Sequence, residues 1–166
     1  MKFWYDAANV DLKSWDEGYY KKILKGGLEA VKNTLRKMCS LGILVEVTTL
    51  LIKGENDCDE DLQGMASFIA NDLGAHVPWH LSAFHPDYKM QDHQYTTMKT
   101  LKRASQIAKE AGLYYVYMGN VPTHENTYCP NCHTLLIERE GFVVIQNNMY
   151  QNKCPKCQRI IEGIWE

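Results

Sequence analysis

Four of the six cysteines of this 166-residue sequence form two Cys-x-x-Cys pairs near its end. Cys129 and Cys132 make the first pair, Cys154 and Cys157 make the second, and 21 residues separate the two pairs. A Cys-x-x-Cys pair forms a tight knuckle that turns both sulfurs toward one ion, and two knuckles complete a tetrahedral site. We therefore predict that these four cysteines bind one structural metal ion.

Zinc is the metal that this spacing favours, because two knuckles about 20 residues apart are typical of zinc ribbons. Iron stays open, since a tetrathiolate site also suits a rubredoxin-type iron. The residues after each second cysteine are His133 and Gln158 rather than the glycine usual in rubredoxins, which argues against redox iron. The alternative, four unligated thiols, is disfavoured by the spacing. A closed four-sulfur site leaves no position for substrate, so we expect the metal to fold its segment.

Asp11, Lys13 and His85 are among the residues whose positions suggest chemistry, because each lies at or just after the end of a predicted strand. A carboxylate accepts hydrogen bonds from amino or hydroxyl groups, an ammonium pairs with a carboxylate, and an imidazole does either. A purely structural interpretation is also open. Asp11 and Lys13 fit an exposed strand end, and His85 fits a cap for the turn before Pro86.

The elements that position these residues alternate along the first 120 residues. Short apolar runs rich in β-branched and aromatic residues predict four strands, most of them buried on both faces. They are Phe3 to Leu12, Ile43 to Ile52, Val77 to Phe84 and Leu113 to Met118. Apolar residues three and four apart predict three helices between them, ending at Gly42, Gly74 and Gly112.

A strand, a helix and the next strand recur about every 30 residues, which is the length of a βαβ unit and predicts a parallel sheet. The predicted fold class is therefore α/β, with a partial parallel (β/α) barrel over residues 1–120. Residues 121–166 are predicted to form a small rubredoxin-like zinc-ribbon module that contains a hairpin from Leu135 to Tyr150. In such parallel sheets chemistry gathers at the carboxyl ends of the strands.

Composition excludes several classes of protein. The apolar fraction of 45% and the charged fraction of 23% are those of an ordinary globular protein. A net charge of −2 gives no basic face for nucleic acid, and no apolar run predicts a membrane span or a signal peptide. We therefore expect a cytoplasmic protein that binds neither nucleic acid nor membrane, with cysteines that serve as ligands or free thiols.

Four segments together resemble the later strands of a radical SAM enzyme. They are DAANVDLK at 6–13, VEVTTLLIKG at 45–54, WHLSAFHPDY at 79–88 and LYYVYMGNVP at 113–122. With the two knuckles, they are similar to the AmmeMemoRadiSam-system branch, a relative of pyruvate formate-lyase-activating enzymes. The resemblance implies that Asp11 and Lys13 lie near the methionine or ribose portion of S-adenosylmethionine, and that His85 lies near its nucleoside side.

The sequence contains no Cys-x-x-x-Cys-x-x-Cys triplet, which radical SAM chemistry needs to hold its [4Fe-4S] cluster. In the family this triplet follows the first barrel strand, upstream of the segments that match here. We therefore expect the chain to correspond to the C-terminal half of such an enzyme and to be inactive alone. S-adenosylmethionine and the [4Fe-4S] cluster are expected only in the complete enzyme.

The expected partner is an N-terminal radical SAM half, or a second copy that pairs across the first strand. Phe3, Trp4 and Tyr5 lead into that strand and predict an apolar edge, which invites pairing. A stand-alone zinc-ribbon module that binds another protein is the alternative function.

Overall fold

The structure is a computed structural model that describes residues 6–141 and 143–165. The chain divides into two compact units, Met1–Val121 and Pro122–Glu166, which we name the sheet unit and the cysteine unit. Among the described residues, no helix is both long and apolar enough to cross a bilayer.

The sheet unit contains four parallel strands in the order β1-β2-β3-β4. Their bounds are β1 Ala7–Asp11, β2 Leu44–Leu51, β3 Trp79–Ala83 and β4 Val116–Gly119. Sequential parallel strands joined by helices are the arrangement of part of a β/α barrel, so the predicted fold class is confirmed. The residues at the start of the first predicted strand, Phe3 to Tyr5, lie outside the described residues.

The fourth strand begins three residues later than predicted. Gly112 has a φ of +96°, and the N–H of Leu113 donates to the Ala108 carbonyl at 3.2 Å. Leu113 therefore closes the preceding helix instead of starting a strand.

Three long helices connect the strands, and all three were predicted from apolar periodicity. They are α2 Leu28–Ser40, α3 Asp59–Phe68 and α4 Met98–Glu110. The Thr97 hydroxyl accepts from the Thr100 N–H and caps α4, as expected of a threonine at this position. A short helix, α1 Glu17–Tyr19, was not predicted; a π-helical turn over Tyr20–Leu24 follows it. A second π-helical turn, over Ile69–Gly74, continues α3.

The sheet is buried on one face only, so the prediction that most strands are buried on both faces is wrong. Residues of β2 alternate between buried and half-buried along its whole length, and β3 alternates in the same way. The buried set packs with the apolar residues of the three long helices in one core cluster. Because the described helices cover a single face, the opposite face stays partly open and carries polar residues.

Two buried polar side chains join the carboxyl ends of β1 and β2. The Asn56 side chain donates to the carbonyls of Lys13 (2.6 Å) and Leu50 (2.9 Å) and accepts from the Ile52 N–H (2.7 Å). Asn56 is 1% exposed, so its amide is almost entirely removed from water. These hydrogen bonds fix the backbone of Lys13, the second residue after the end of β1, relative to the loop after β2.

The second of these side chains is Thr49, which is fully buried on β2. Its hydroxyl donates to the Leu12 carbonyl at 2.7 Å and accepts from the Trp79 indole N–H at 2.9 Å. Three neighbouring strands therefore share one buried hydroxyl, and the end of β1 is held at two successive carbonyls.

The cysteine unit contains one antiparallel sheet, in the order β5-β6-β7. Its strands are β5 Thr127–Tyr128, β6 Leu135–Glu140 and β7 Val143–Asn147. The last two form the predicted hairpin. Among the described residues of the cysteine unit, the buried aliphatic ones are Leu136, Ile137 and Ile161. The cysteines Cys129 and Cys154 are buried as well. This apolar core is small, as expected for a segment that needs a metal to fold.

We predict that Asn56→Ala destabilises the sheet unit by about 2–3 kcal/mol, because one N–H and two carbonyls lose their buried partner. Urea unfolding followed by circular dichroism measures this. Asn71→Ala is the matched control: this asparagine bonds Ser67 on the exposed surface, and its loss should change stability by less than about 0.5 kcal/mol. Equal unfolding midpoints for the two variants would contradict the role assigned to Asn56.

Candidate functional site

Four cysteine sulfurs converge in the cysteine unit. The Sγ atoms of Cys129, Cys132, Cys154 and Cys157 all lie within 4.8 Å of one another. Two of the pairs across the knuckles are separated by 3.5 Å and 3.6 Å. A tetrahedron with metal–sulfur bonds of about 2.3 Å has edges of about 3.8 Å, so these sulfurs already stand near the positions that a bound ion requires. This four-cysteine group can therefore bind a metal ion.

The two knuckles have the same backbone conformation. The N–H of His133 donates to the Cys129 carbonyl at 2.9 Å, and the N–H of Gln158 donates to the Cys154 carbonyl at 3.0 Å. His133 and Gln158 have φ values of +56° and +60°, in the left-handed region that favours glycine. The chain therefore adopts the usual knuckle geometry although it lacks the usual glycines.

Hydrogen bonds and burial act differently on the thiols of Cys129, Cys132 and Cys157. The Thr134 hydroxyl, 3.2 Å from the Cys132 sulfur, lowers the pKa of Cys132, and the Asn131 side chain helps to lower the pKa of Cys157 to about 6. Burial raises the pKa of Cys129 to about 11. Hydrogen bonds thus favour the thiolate form of Cys132 and Cys157, whereas burial disfavours a thiolate at Cys129 unless a cation lies beside it. This donor set fits a thiolate-binding metal.

Asp11 and Lys13 lie together at the carboxyl end of β1. The Lys13 Nζ is 3.1 Å from the Asp11 Oδ2, and the side chains are 35% and 51% exposed, respectively. The backbone N–H of Lys13 donates to the Tyr20 hydroxyl at 3.0 Å. With the Asn56 bond to its carbonyl, the Lys13 backbone is held from both sides, while its ammonium stays accessible.

His85 lies beyond the end of β3, on the surface. Its Nδ1 is 3.2 Å from the Pro86 carbonyl oxygen, and its ring stacks on Tyr95 with 6.3 Å between centroids. Two strand spacings, about 10 Å, separate β1 from β3. The structure therefore brings Asp11 and Lys13 into contact with each other, and it places His85 at the same end of the sheet, beyond a different strand.

The open face of the sheet carries a polar row that sequence analysis missed. Asp11 is in register with Thr48, which is in register with His80, which is in register with Tyr117. His80 Nε2 lies 3.0 Å from the Glu46 carboxylate, and its ring stacks on Tyr117 at 5.3 Å. Polar residues at alternate positions of otherwise apolar strands are the sequence signal that marks this row.

Comparison with known proteins shows which solved structures share the fold of this chain. No protein-family model matches the chain. A domain of pyruvate-formate lyase-activating enzyme from Bacteroides vulgatus matches with a TM-score of 0.61 and 20% identity, over 69% of this chain and 68% of that one. The chain shares the fold of this domain. The predicted resemblance to pyruvate formate-lyase-activating enzymes is thereby confirmed at the level of fold.

Two further proteins show similarity to the chain. A radical SAM methyltransferase from Sphaerobacter thermophilus has a TM-score of 0.49 and 18% identity, over 66% of this chain and 32% of that one. Uncharacterized protein MJ0808 from Methanocaldococcus jannaschii is 45% identical over 161 residues, which is 95% of this chain and 48% of the relative. The chain thus spans about half the length of this curated relative.

We predict that Cys154→Ser abolishes metal binding and unfolds the cysteine unit, because three sulfurs do not close the tetrahedral site. The sheet unit should keep its fold, since its core cluster includes no residue of the cysteine unit. Elemental analysis gives the metal content per chain, and amide NMR spectra report each unit. Cys39→Ser, on α2, is the control and should retain one ion per chain. Undiminished metal content in Cys154→Ser would show that the ion binds elsewhere.

Proposed function

We propose that the sheet unit is the C-terminal part of a radical SAM protein of the activating-enzyme type, in which it forms one wall of the S-adenosylmethionine site. The observation that carries this proposal is the position of the Asp11–Lys13 pair. It lies at the carboxyl end of a strand, in a fold shared with a pyruvate-formate lyase-activating enzyme domain, at the edge of the sheet where parallel folds bind ligands.

The Asp11–Lys13 pair suits the amino-acid portion of S-adenosylmethionine. That portion carries an ammonium and a carboxylate on one carbon, so Asp11 can accept from the first while Lys13 pairs with the second. A half-exposed ion pair contributes little stability, and opening it to admit a zwitterion therefore costs little. His85, on the neighbouring surface beyond β3, is proposed to contact the nucleoside side.

The iron–sulfur cluster is proposed to come from an N-terminal radical SAM half, in the same polypeptide or in a partner chain. Four of the six cysteines converge on the metal site, and Cys39 and Cys58 lie apart on α2 and at the start of α3. When bound, the cluster would supply the electron that cleaves S-adenosylmethionine. The described residues of the sheet unit would supply binding and orientation.

Zinc is the ion that we propose for the four-cysteine site. The site is closed by four sulfurs, its two knuckles match, and its unit has a small apolar core, which together favour a structural tetrathiolate zinc. The samples prepared for the Cys154→Ser comparison distinguish zinc from iron. We expect one zinc per chain and no visible absorption from ferric thiolate.

A protein-interaction module is the second candidate function, and β7 is the observation that favours it. This edge strand of the described cysteine-unit sheet is exposed along its whole length, with Val143, Val144 and Ile145 each more than half exposed. An apolar edge strand can pair with an extended segment of another protein. A neighbouring reading frame that encodes the missing cysteine triplet would favour the radical SAM function over this one.

We predict that S-adenosylmethionine perturbs the amide NMR signals of Asp11, Lys13 and His85 in the full chain. Lys13→Met should weaken binding several-fold, because the ligand carboxylate loses its cationic partner. Lys109→Met, in the last turn of α4, removes the same charge away from the site and should leave binding unchanged. Perturbations confined to other residues would contradict the proposed site. Reductive cleavage of S-adenosylmethionine by this chain, reconstituted with iron and sulfide alone, would contradict the proposal that the cluster comes from an N-terminal half.

We also predict that the isolated chain associates through β1, which is an edge of the described sheet. Its outer backbone groups can pair with a strand of the N-terminal half or of a second copy. Light scattering after gel filtration should show a dimer, or a monomer that becomes larger with concentration. A single monomeric species at high protein concentration would contradict this prediction.

A further inference from the structure

Two loops meet at the carboxyl end of the sheet: the β2 loop, residues 52–58, and the β3 loop, residues 84–97. Their inner contact is buried. The Thr96 hydroxyl donates to the Leu51 carbonyl at 2.5 Å and accepts from the Phe84 N–H at 3.2 Å. Thr96 is a buried residue, so this contact fixes the two ends of the β3 loop against the end of β2.

The outer contact between the loops depends on His93. Its Nε2 lies 3.2 Å from the Glu55 carboxylate of the β2 loop, and its Nδ1 lies 2.9 Å from the Asp92 carboxylate beside it. Its ring also meets the edge of Phe84 at 6.2 Å between centroids. A second bond, from Lys53 Nζ to Gln94 Oε1, joins the same two loops.

We propose that His93 is a proton-operated latch, whose protonated ring holds the β3 loop onto the β2 loop and whose deprotonation releases it. A carboxylate accepts hydrogen bonds but does not donate them, so binding two carboxylates requires an N–H on both ring nitrogens. Only the imidazolium has both. After loss of the proton the ring can donate to Glu55 or to Asp92, but not to both.

The charges around His93 raise its pKa above the ordinary value for histidine. The Glu55 carboxylate first, and the Asp92 carboxylate second, raise the pKa of His93 above its ordinary value of 6.5. The other charged group of this contact is Lys53, which bonds Gln94. Tyr19, whose pKa is raised by burial and then by Glu55, stays neutral in this range. Because the pKa is raised in the folded state, the latch is complete at acidic pH and is lost as pH rises through that pKa.

The latch has a consequence for the site at this end of the sheet. His85 and Tyr95, which stack on each other, both belong to the β3 loop. Opening the loop would therefore move the residue proposed to contact the nucleoside. This consequence rests on the proposed function, whereas the latch itself rests only on the contacts of His93.

The test measures the ring and the loop separately, without any ligand. NMR titration gives the pKa of His93, and hydrogen exchange corrected for intrinsic rates gives the protection of residues 86–95. We expect a pKa above 6.5 that falls in Glu55→Gln. We expect protection of the loop to drop by roughly two- to fivefold as pH rises through the His93 pKa, the change that an exposed ion pair supports.

His93→Gln should remove this pH dependence and leave the loop weakly protected throughout. His80→Gln is the matched control, because His80 is also paired with a glutamate but lies on the open sheet face. It should keep the pH dependence of the β3 loop. A His93 pKa that is the same in the wild type and in Glu55→Gln would overturn the latch, as would pH-dependent protection that persists in His93→Gln. Neither result would bear on S-adenosylmethionine binding, which is tested by ligand titration.

Discussion

One buried amide determines where the ends of two strands lie. The buried side chain of Asn56 takes the place of water for the carbonyls of Lys13 and Leu50 and for the N–H of Ile52. A buried polar group without a partner is costly, so the loop after β2 must return to this point. The accessible Asp11–Lys13 ion pair therefore lies on a backbone that is held in place by hydrogen bonds.

A different constraint acts on the cysteine unit, which holds four sulfurs close together. Its sheet has few buried aliphatic residues, and its largest fixed feature is the pair of matched knuckles that bring the sulfurs together. Thiolates held this closely repel one another unless a cation lies between them. The sheet unit is thus stabilised by apolar burial, whereas we propose that the cysteine unit depends on coordination of a metal ion.

Local sequence signals were enough to predict most of the elements. The apolar stripe that runs from α3 into the following π-helical turn, Leu62, Met65, Ile69 and Leu73, is buried as its spacing indicates. Glycine ended helices where expected. The four-cysteine group followed from spacing alone. Burial of both sheet faces was predicted wrongly, because an apolar run such as the Val and Leu residues of β2 does not show whether the second face is covered.

Contacts between distant parts of the chain were beyond sequence reasoning. His80 and His93 look alike in the sequence, yet one pairs with a glutamate on the next strand and the other bridges two loops. Asn56 stands in an acidic stretch that indicates a helix start, and nothing local shows that its amide is buried. These roles depend on strand register and loop paths, which a single sequence does not specify.

The one-sided burial of β2 also protects the accuracy of folding. Because successive side chains point to opposite faces, a slip of one residue against β1 or β3 would drive Glu46 and Thr48 into the core and expel Val47 into water. Such a misaligned sheet would bury less apolar surface, and it would also bury a charged carboxylate away from water. The same alternation that leaves one face polar thus discriminates against wrongly paired intermediates, which matters most in a parallel sheet, where pairing partners are far apart in the chain.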